Sequence, residues 1–470
     1  MNTRSFFNSS VRLLVVLSAL LAAGVAQVSQ AKIPQVGIEA PSYDEQAEWF
    51  VEIVDNSEDV GAYNSIAFDQ MTGWPRIAYH NSTQQALSRA RYDYSYWAEC
   101  RPGSRWHCSY SQWDEGEYTS IDTFYEEDGA GYYFKVGISY YQESDHSLRY
   151  RYEEMFDGSG GGGVEEVEAP TSMNGVIGQY SSLKFDANGV PHIAYYAHDN
   201  VSGLSMLKYA HQVGVGNGNC GQYNNWQCDA IEESLTTTVG QYASLDIGPS
   251  QRPHIAYFGG ALRYAWLSHP DGSPSANCGP YKNSQHTWTC EYVDSPFMIL
   301  VGQFASLYAG TRGTRNPSQI AYYNSTHGYL KYAYQVVSGG NCGPSDNWQC
   351  DFIDTMGTGL TQKSIAMAVD ALGKPVIAYK DAYSAGPASL NIAYPLSTTG
   401  NCGPGMLGTW QCSEIDGGGQ YLDVADFVSI AASPSGLVAI AYNEYDEYNL
   451  KSKLKIAYQR RLIYLPLAKR

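Results

Sequence analysis

After residue 26 the chain holds no apolar run approaching the roughly 20 residues that a membrane helix requires, so a spanning helix is excluded beyond the N-terminus. No window sustains a 3.6-residue hydrophobic period, which leaves little room for amphipathic helices. Positive charge is scarce. Arg4 and Arg12 are the only charges in the first 31 residues, and the remainder carries 27 Lys and Arg against 47 Asp and Glu, a net charge of −20. That balance repels phosphate backbones and anionic membranes, so nucleic acid is excluded as a partner class. Cysteines at the two-to-four-residue spacing of a zinc site are also missing. Neither Asp-x-Asp-x-Asp-Gly calcium loops nor Ser-x-Asp-x-Gly-x-x-Trp boxes occur, and no catalytic or cofactor motif stands out. We expect no cofactor and no bound metal.

What is present begins with residues 1–31, which read as a secretory signal peptide. Arg4 and Arg12 supply the basic start and Leu13 to Ala26 an apolar stretch too short to span a bilayer. Ser29-Gln30-Ala31 supplies a cleavage site, with Ala26 as an earlier alternative. The mature protein is therefore expected outside the cytoplasm, secreted or at the cell surface. Its ten cysteines form five close pairs, as disulfides of an exported chain would: Cys100 with Cys108, Cys220 with Cys228, Cys278 with Cys290, Cys342 with Cys350, and Cys402 with Cys412.

A phrase of Ile, then Ala or Ser, then Tyr recurs seven times at intervals of roughly 60 residues, from Ile77-Ala78-Tyr79 to Ile440-Ala441-Tyr442. Before it stands a run such as Ser182-Leu183-Lys184-Phe185. After it come a segment opening on Leu (Leu87, Leu148, Leu207, Leu262, Leu330, Leu390, Leu454) and, in five repeats, a Trp-x-Cys segment. Four short β-branched or aromatic segments bounded by Gly, Pro, Asn or Asp are strand chemistry. Seven such units predict an all-β chain, a seven-bladed β-propeller of four-stranded antiparallel blades spanning residues 44–460 after a linker at 32–43. The seventh repeat lacks its Trp strand, whereas Trp49 to Asp55 matches Trp226 to Glu232 position for position with Val51 in place of Cys. The N-terminal strand should complete the last blade and close the ring. Blade two lacks cysteines and carries Gly160 to Gly163 where others hold the stapled loop; Val164 to Val167 is its expected outer strand.

The recurring tryptophans are expected to pack between blades. Basic residues of the third strand (Arg149, Lys208, Arg263, Lys331, Lys455) are expected to pair across strands with acids of the fourth (Glu52, Asp229, Glu291, Asp351). Positions that keep the frame but change chemistry are the candidate ligand residues. Before the Ile stand Arg76, His192 and His254. Tyr63, Tyr118, Tyr180 and Tyr242 open the first strand near the channel, and we take Tyr180 and Tyr242 as site residues. The variable loops after the second strand add His80, Asp145, His146, His198 and Asp199.

The motif set resembles a group of bacterial exported propellers, whose repeats read Ser-Leu-x-x-Asp, Gly-x-Pro-His-Ile-Ala-Tyr-Tyr and Leu-Lys-Tyr-Ala. Ser182 to Tyr196 and Leu207 to Ala210 follow that pattern, and the likeness covers residues 44–458. It implies the fold and an extracellular setting but transfers no activity. Residues 461–470 resemble a terminal sorting or attachment tag. We expect a non-catalytic binding or assembly protein recognising a glycan or an extracellular protein through its loop face. The alternative is a polysaccharide lyase or hydrolase, which needs Arg76, His192, His254 and a nearby Tyr to converge in one pocket. A structural envelope role is the third reading.

Overall fold

The computed structural model describes residues 48–459 apart from 93–99, 112–113, 129–130, 172–174, 269–271, 273–274, 371, 383–386 and 405–407. The expected signal peptide, the 32–43 linker and the 461–470 tail lie outside the described residues. Seven small antiparallel sheets surround one axis, and the chain is a seven-bladed β-propeller. Blade three shows the plan. Gly175–Phe185 lies innermost, followed outward by Pro191–Asp199, Leu204–Gln212 and Trp226–Ser234. Blade four adds a short fifth strand, Cys278–Lys282. In blade two the glycine run lies inside the outermost strand, Ser159–Glu168, which also contains Val164 to Val167.

The ring closes between its termini. Trp49–Asp55 pairs with Lys451–Gln459 in the register Trp49↔Gln459, Val51↔Ala457 and Ile53↔Lys455, as the outer strand of blade seven. All five expected cysteine pairs are disulfides. Cys100 is bonded to Cys108 in blade one, Cys220 to Cys228 in blade three and Cys278 to Cys290 in blade four. Cys342 is bonded to Cys350 in blade five and Cys402 to Cys412 in blade six. The second cysteine of each pair, Cys108, Cys228, Cys290, Cys350 or Cys412, lies in the Trp-x-Cys strand itself. Each bond thus ties a short preceding segment to that strand and contributes about 2–3 kcal/mol in the chain-entropy view. Among the described residues no helix is long and apolar enough to cross a membrane.

Neighbouring blades are joined at three radii. Near the axis, a serine hydroxyl of one inner strand accepts a backbone N–H from the next. The pairs are Ser65 with Ile121, Ser120 with Leu183, Ser182 with Leu245, Ser244 with Leu307 and Ser306 with Met367, at 2.9–3.2 Å. At mid-radius the Tyr of every Ile-Ala/Ser-Tyr phrase donates to a carboxylate at the end of the preceding blade. Tyr79 reaches Asp55, Tyr140 Asp114, Tyr195 Glu168, Tyr257 Glu232, Tyr322 Asp294, Tyr379 Asp354 and Tyr442 Asp416. At the outer radius Trp226, Trp288, Trp348 and Trp410 each meet edge-on a third-strand tyrosine of the preceding blade, with centroids 5.1–5.3 Å apart. The interblade role expected of the tryptophans is what the packing shows.

Of the third-strand cations expected to pair across strands, Arg149 does pair with an acid opposite it on the fourth strand, Glu166, whereas the other four do not. Lys208 lies opposite Ala230, Arg263 opposite Tyr292, Lys331 opposite Phe352 and Lys455 opposite Ile53. That register is one residue away from the acids, and one residue turns a strand's side chains to the other face. These cations instead join the mid-radius contacts, pairing with Glu168, Glu232, Asp294 and Asp416. In blade two Arg151 takes that role on Asp114, while Arg149 pairs with Asp145 and Glu166. Glu291 accepts the indole N–H of Trp348 in the next blade at 2.7 Å.

Candidate functional site

Six inner strands open on Gly-x-aromatic: Gly61-Ala62-Tyr63, Gly116-Glu117-Tyr118, Gly178-Gln179-Tyr180, Gly240-Gln241-Tyr242, Gly302-Gln303-Phe304 and, with Ala for Gly, Ala425-Asp426-Phe427. The glycine is a packing requirement. A Cβ on Gly178 would stand 2.8 Å from the Leu148 Cα of the preceding blade, and one on Gly240 only 2.5 Å from the Met206 carbonyl oxygen. Each aromatic then takes a left-handed backbone conformation, φ between 50° and 54°. That conformation is uncommon for a bulky residue and persists only where the surroundings impose it.

The result is an arc of aromatic rings at one mouth of the central channel. Phe427, Tyr63, Tyr118, Tyr180, Tyr242 and Phe304 follow one another with centroids 4.6–5.0 Å apart. Behind them stands a second layer from the second strands, His80, Tyr141, Tyr196, Phe258 and Tyr323, at 5.5–6.4 Å. The hydroxyls of Tyr63, Tyr118, Tyr180 and Tyr242 interact in sequence, and burial pushes all four phenols up from their ordinary range. They therefore stay neutral and able to donate as well as accept. The arc lines a cavity of about 130 Å³.

Blade six breaks the arc. It has Ser364 in place of the aromatic, and Thr361, Gln362 and Lys363 line the cavity there. Its second-layer residue is Lys380, buried and paired with Asp423 and Asp426 of blade seven at 2.5 and 2.8 Å. Burial raises the Asp426 carboxyl, with Lys380 pulling the other way. Enclosure pushes the Lys363 ammonium down to about 8, helped by the positive charge of Lys184. Beside Tyr118, burial and then Glu143 and Glu115 push Glu117 up to about 7. The amides of Gln179, Gln241 and Gln303, at the same repeat position as Glu117, make no side-chain hydrogen bond among the described residues.

Glu117 supplies a test of this geometry. Its proton is held in the folded state between pH 4.5 and about 7 and released in the unfolded chain, so its contribution to stability falls as pH rises through that window. Discounted for partial exposure, the penalty at pH 8 is about 1–2 kcal/mol. Glu117→Gln, which installs the residue that three other blades carry, should stabilise the protein by that amount at pH 8 and by almost nothing at pH 4. Urea unfolding at the two pH values checks it.

The residues expected to form a site divide between the two ends of the channel. Tyr180 and Tyr242 belong to the arc. His80 packs behind Tyr63, buried, with Nδ1 2.5 Å from the Glu115 carbonyl oxygen, and burial lowers its pKa. His146 Nδ1 shares a hydrogen bond with the Tyr141 hydroxyl at 2.7 Å, and Asp145 pairs with Arg149. His198 stacks on Tyr196, and Asp199 caps its turn by accepting from Val201 and Ser202 at 3.0 and 2.6 Å. All of these lie at the end of the blades where inner strands begin. Arg76, His192 and His254 lie at the other end, because they start second strands that run back antiparallel. Arg76 pairs with Asp69 at 2.6 Å. His192 contacts Tyr209 at 2.5 Å, and His254 contacts Tyr264 at 2.5 Å. Burial, then Arg252, pushes His254 down to about 4. Each of the three contacts a residue of its own blade, and among the described contacts none joins one of them to another. Among the described residues no cluster of three or more His, Cys, Asp or Glu could hold a metal ion.

Glu117, Lys363 and the three glutamines were not among the expected site residues. Their signal was the position just before each inner-strand aromatic, which varies from Ala62 through Gln to Lys363 while its neighbours repeat.

The fold and this mouth define the class, a disulfide-stapled seven-bladed propeller with an aromatic channel entrance. The chain matches no known protein family and no curated protein. Among solved structures it is similar to AofleA from Arthrobotrys oligospora, at 10% identity over 81% of this chain and 94% of that one, TM-score 0.38. It is also similar to the NanB sialidase from Streptococcus pneumoniae, at 10% identity over 83% and 84%, TM-score 0.39. Neither similarity bears on what this chain binds.

Proposed function

We propose that this protein is a non-catalytic, exported binding protein that recognises a glycan at the tyrosine-lined mouth of its channel. One observation carries the reading: a continuous arc of four tyrosines at the channel mouth, with Gln179, Gln241 and Gln303 one residue before arc aromatics and making no side-chain hydrogen bond among the described residues. Sugar rings present C–H faces and directional hydroxyls together. Aromatic surface accommodates the first, and rigidly held hydroxyls and amides serve the second. The rigid ring behind the arc means that little ordering entropy is lost on binding. Five disulfides agree with an oxidising, extracellular setting.

A glycan array followed by calorimetry on the best hits tests this. Tyr180→Phe with Tyr242→Phe keeps the packing and removes two donors, and it should weaken binding about tenfold, the equivalent of one or two hydrogen bonds. Gln179→Ala with Gln241→Ala should act in the same direction. Folded protein that binds no glycan, or variants that bind as tightly as the parent, would overturn the proposal.

A further inference from the structure

Of all the cations on this acidic chain, Lys363 occupies the least expected place. Most others that the structure describes are matched: Lys208, Lys331, Lys380 and Lys455 each hold a carboxylate. Lys363 makes no ion pair with any described residue, and among the described residues lining the mouth cavity it is the one charged side chain. Its backbone is fixed. The Lys363 carbonyl accepts the Val428 N–H at 2.9 Å, the Ser364 carbonyl accepts the Lys380 N–H at 3.0 Å, and the Ser364 hydroxyl donates to the Gln362 carbonyl at 2.8 Å. Ser364 is fully buried, whereas the Lys363 side chain keeps its access to water inside the cavity.

The neighbouring acids are engaged elsewhere. Asp423 and Asp426 are held by Lys380. Further along the channel, Asp122 and Asp246 act on Lys184, and their oxygens also accept backbone N–H groups of Phe185 and Ala309. Lys184 is therefore a balanced cation that adds its positive field to an unbalanced one. The remaining titratable groups lining the cavity are the four tyrosines, which are neutral donors. An ammonium with three donors, in a cavity lined by hydroxyls and with no anion among its described lining residues, is half of a charge-assisted contact.

We infer that the ligand is an acidic saccharide, and that Lys363 binds the carboxylate or sulfate of one sugar unit while the tyrosine arc holds the ring. This rests on the glycan reading and adds to it the charge of the ligand. The chain as a whole repels polyanions at a distance, so the selectivity would come from contact rather than from steering.

Calorimetry on the folded full-length protein tests it, using galacturonate oligomers, neutral galactose oligomers of equal length and sulfated galactose oligomers. The parent should bind one anionic series at least tenfold more tightly than the neutral one, and which series wins identifies the group. Lys363→Met should abolish that preference, and Lys363→Arg should retain it. Enclosure and Lys184 lower the Lys363 ammonium to about 8, so the preference should fade as pH rises through 8. Glu117 becomes negative through about 7 and works in the same direction, and the dependence left in Lys363→Met belongs to it. Equal affinity for anionic and neutral oligomers, or a preference that survives in Lys363→Met, would sink the Lys363 assignment and leave the glycan reading standing. No binding to any of the three series or to other glycans removes both.

Discussion

A chain shortened to begin at Ser57 will not fold as a cooperative propeller. The deletion removes Trp49–Asp55 and leaves Lys451–Gln459 as an open sheet edge. Roughly six ladder positions are lost, at about 1 kcal/mol for each hydrogen bond. Val54 is fully buried, and withdrawing it costs about 2 kcal/mol more. Asp55 accepts the buried Tyr79 hydroxyl at 2.6 Å, so its loss also strands a polar group in blade one. The sum is on the order of 8 kcal/mol, comparable with the 5–15 kcal/mol that holds most domains together. The exposed edge adds a route to aggregation. Size-exclusion chromatography and urea unfolding should show aggregates and no single sharp transition. Because Trp49 lies opposite Gln459, a permuted chain that joins them by a short hairpin linker and starts at Ser57 should recover both properties. Normal unfolding of the truncated chain would show that ring closure at this seam is not what holds the fold.

That seam was visible in the amino-acid order because the outer strand has a signature of its own. Trp49 to Asp55 repeats the Trp-to-acid run of Trp226 to Glu232, and the structure gives the two acids the same duty, accepting Tyr79 and Tyr257. Burial explains the rest of the repeat. The Ile and Tyr of the recurring phrase are almost wholly inside, as with Ile193 and Tyr195, so each blade must restate them. Contacts between blades were much less legible. Period-2 alternation shows which residues share a face, but it does not say which sheet that face meets. Strand order alone therefore points Lys331 to Asp351 of its own blade, whereas it belongs to Asp294 of the one before. Half of the site was separable in principle. Arg76, His192 and His254 begin strands antiparallel to those that Tyr180 and Tyr242 begin, and a strand of six residues at about 3.3 Å each sets them near 20 Å apart. Lys363 and Glu117 leave little trace because the aromatic marks the repeat, and a neighbour that changes from blade to blade reads as unconstrained surface.

The mid-radius contacts carry the second large effect, and Asp294→Ala exposes it. Asp294 is nearly buried, accepts the Tyr322 hydroxyl at 2.6 Å and pairs with Lys331. Tyr322 has no exposed surface, and burial together with Asp294 raises its phenol well above the ordinary range, so at any accessible pH it is a donor that needs an acceptor. Removing the carboxylate leaves that hydroxyl and a mostly enclosed ammonium without their partner, and truncating one side of a buried pair costs about 3–5 kcal/mol. Much of that cost lies in what is left behind rather than in what was removed. Tyr322→Phe alone should therefore cost only about 1 kcal/mol, and Asp294→Leu with Tyr322→Phe and Lys331→Met should recover most of the loss. Blade one provides an internal comparison. There Ser88 stands near Tyr79 where blade five has a lysine, so Asp55→Ala strands a hydroxyl but no cation and should cost about half as much. Urea midpoints for the five proteins decide the matter. If the triple variant is as unstable as Asp294→Ala, the contact between blades stabilises through the pair itself, and the stranded charge is not the source of the cost.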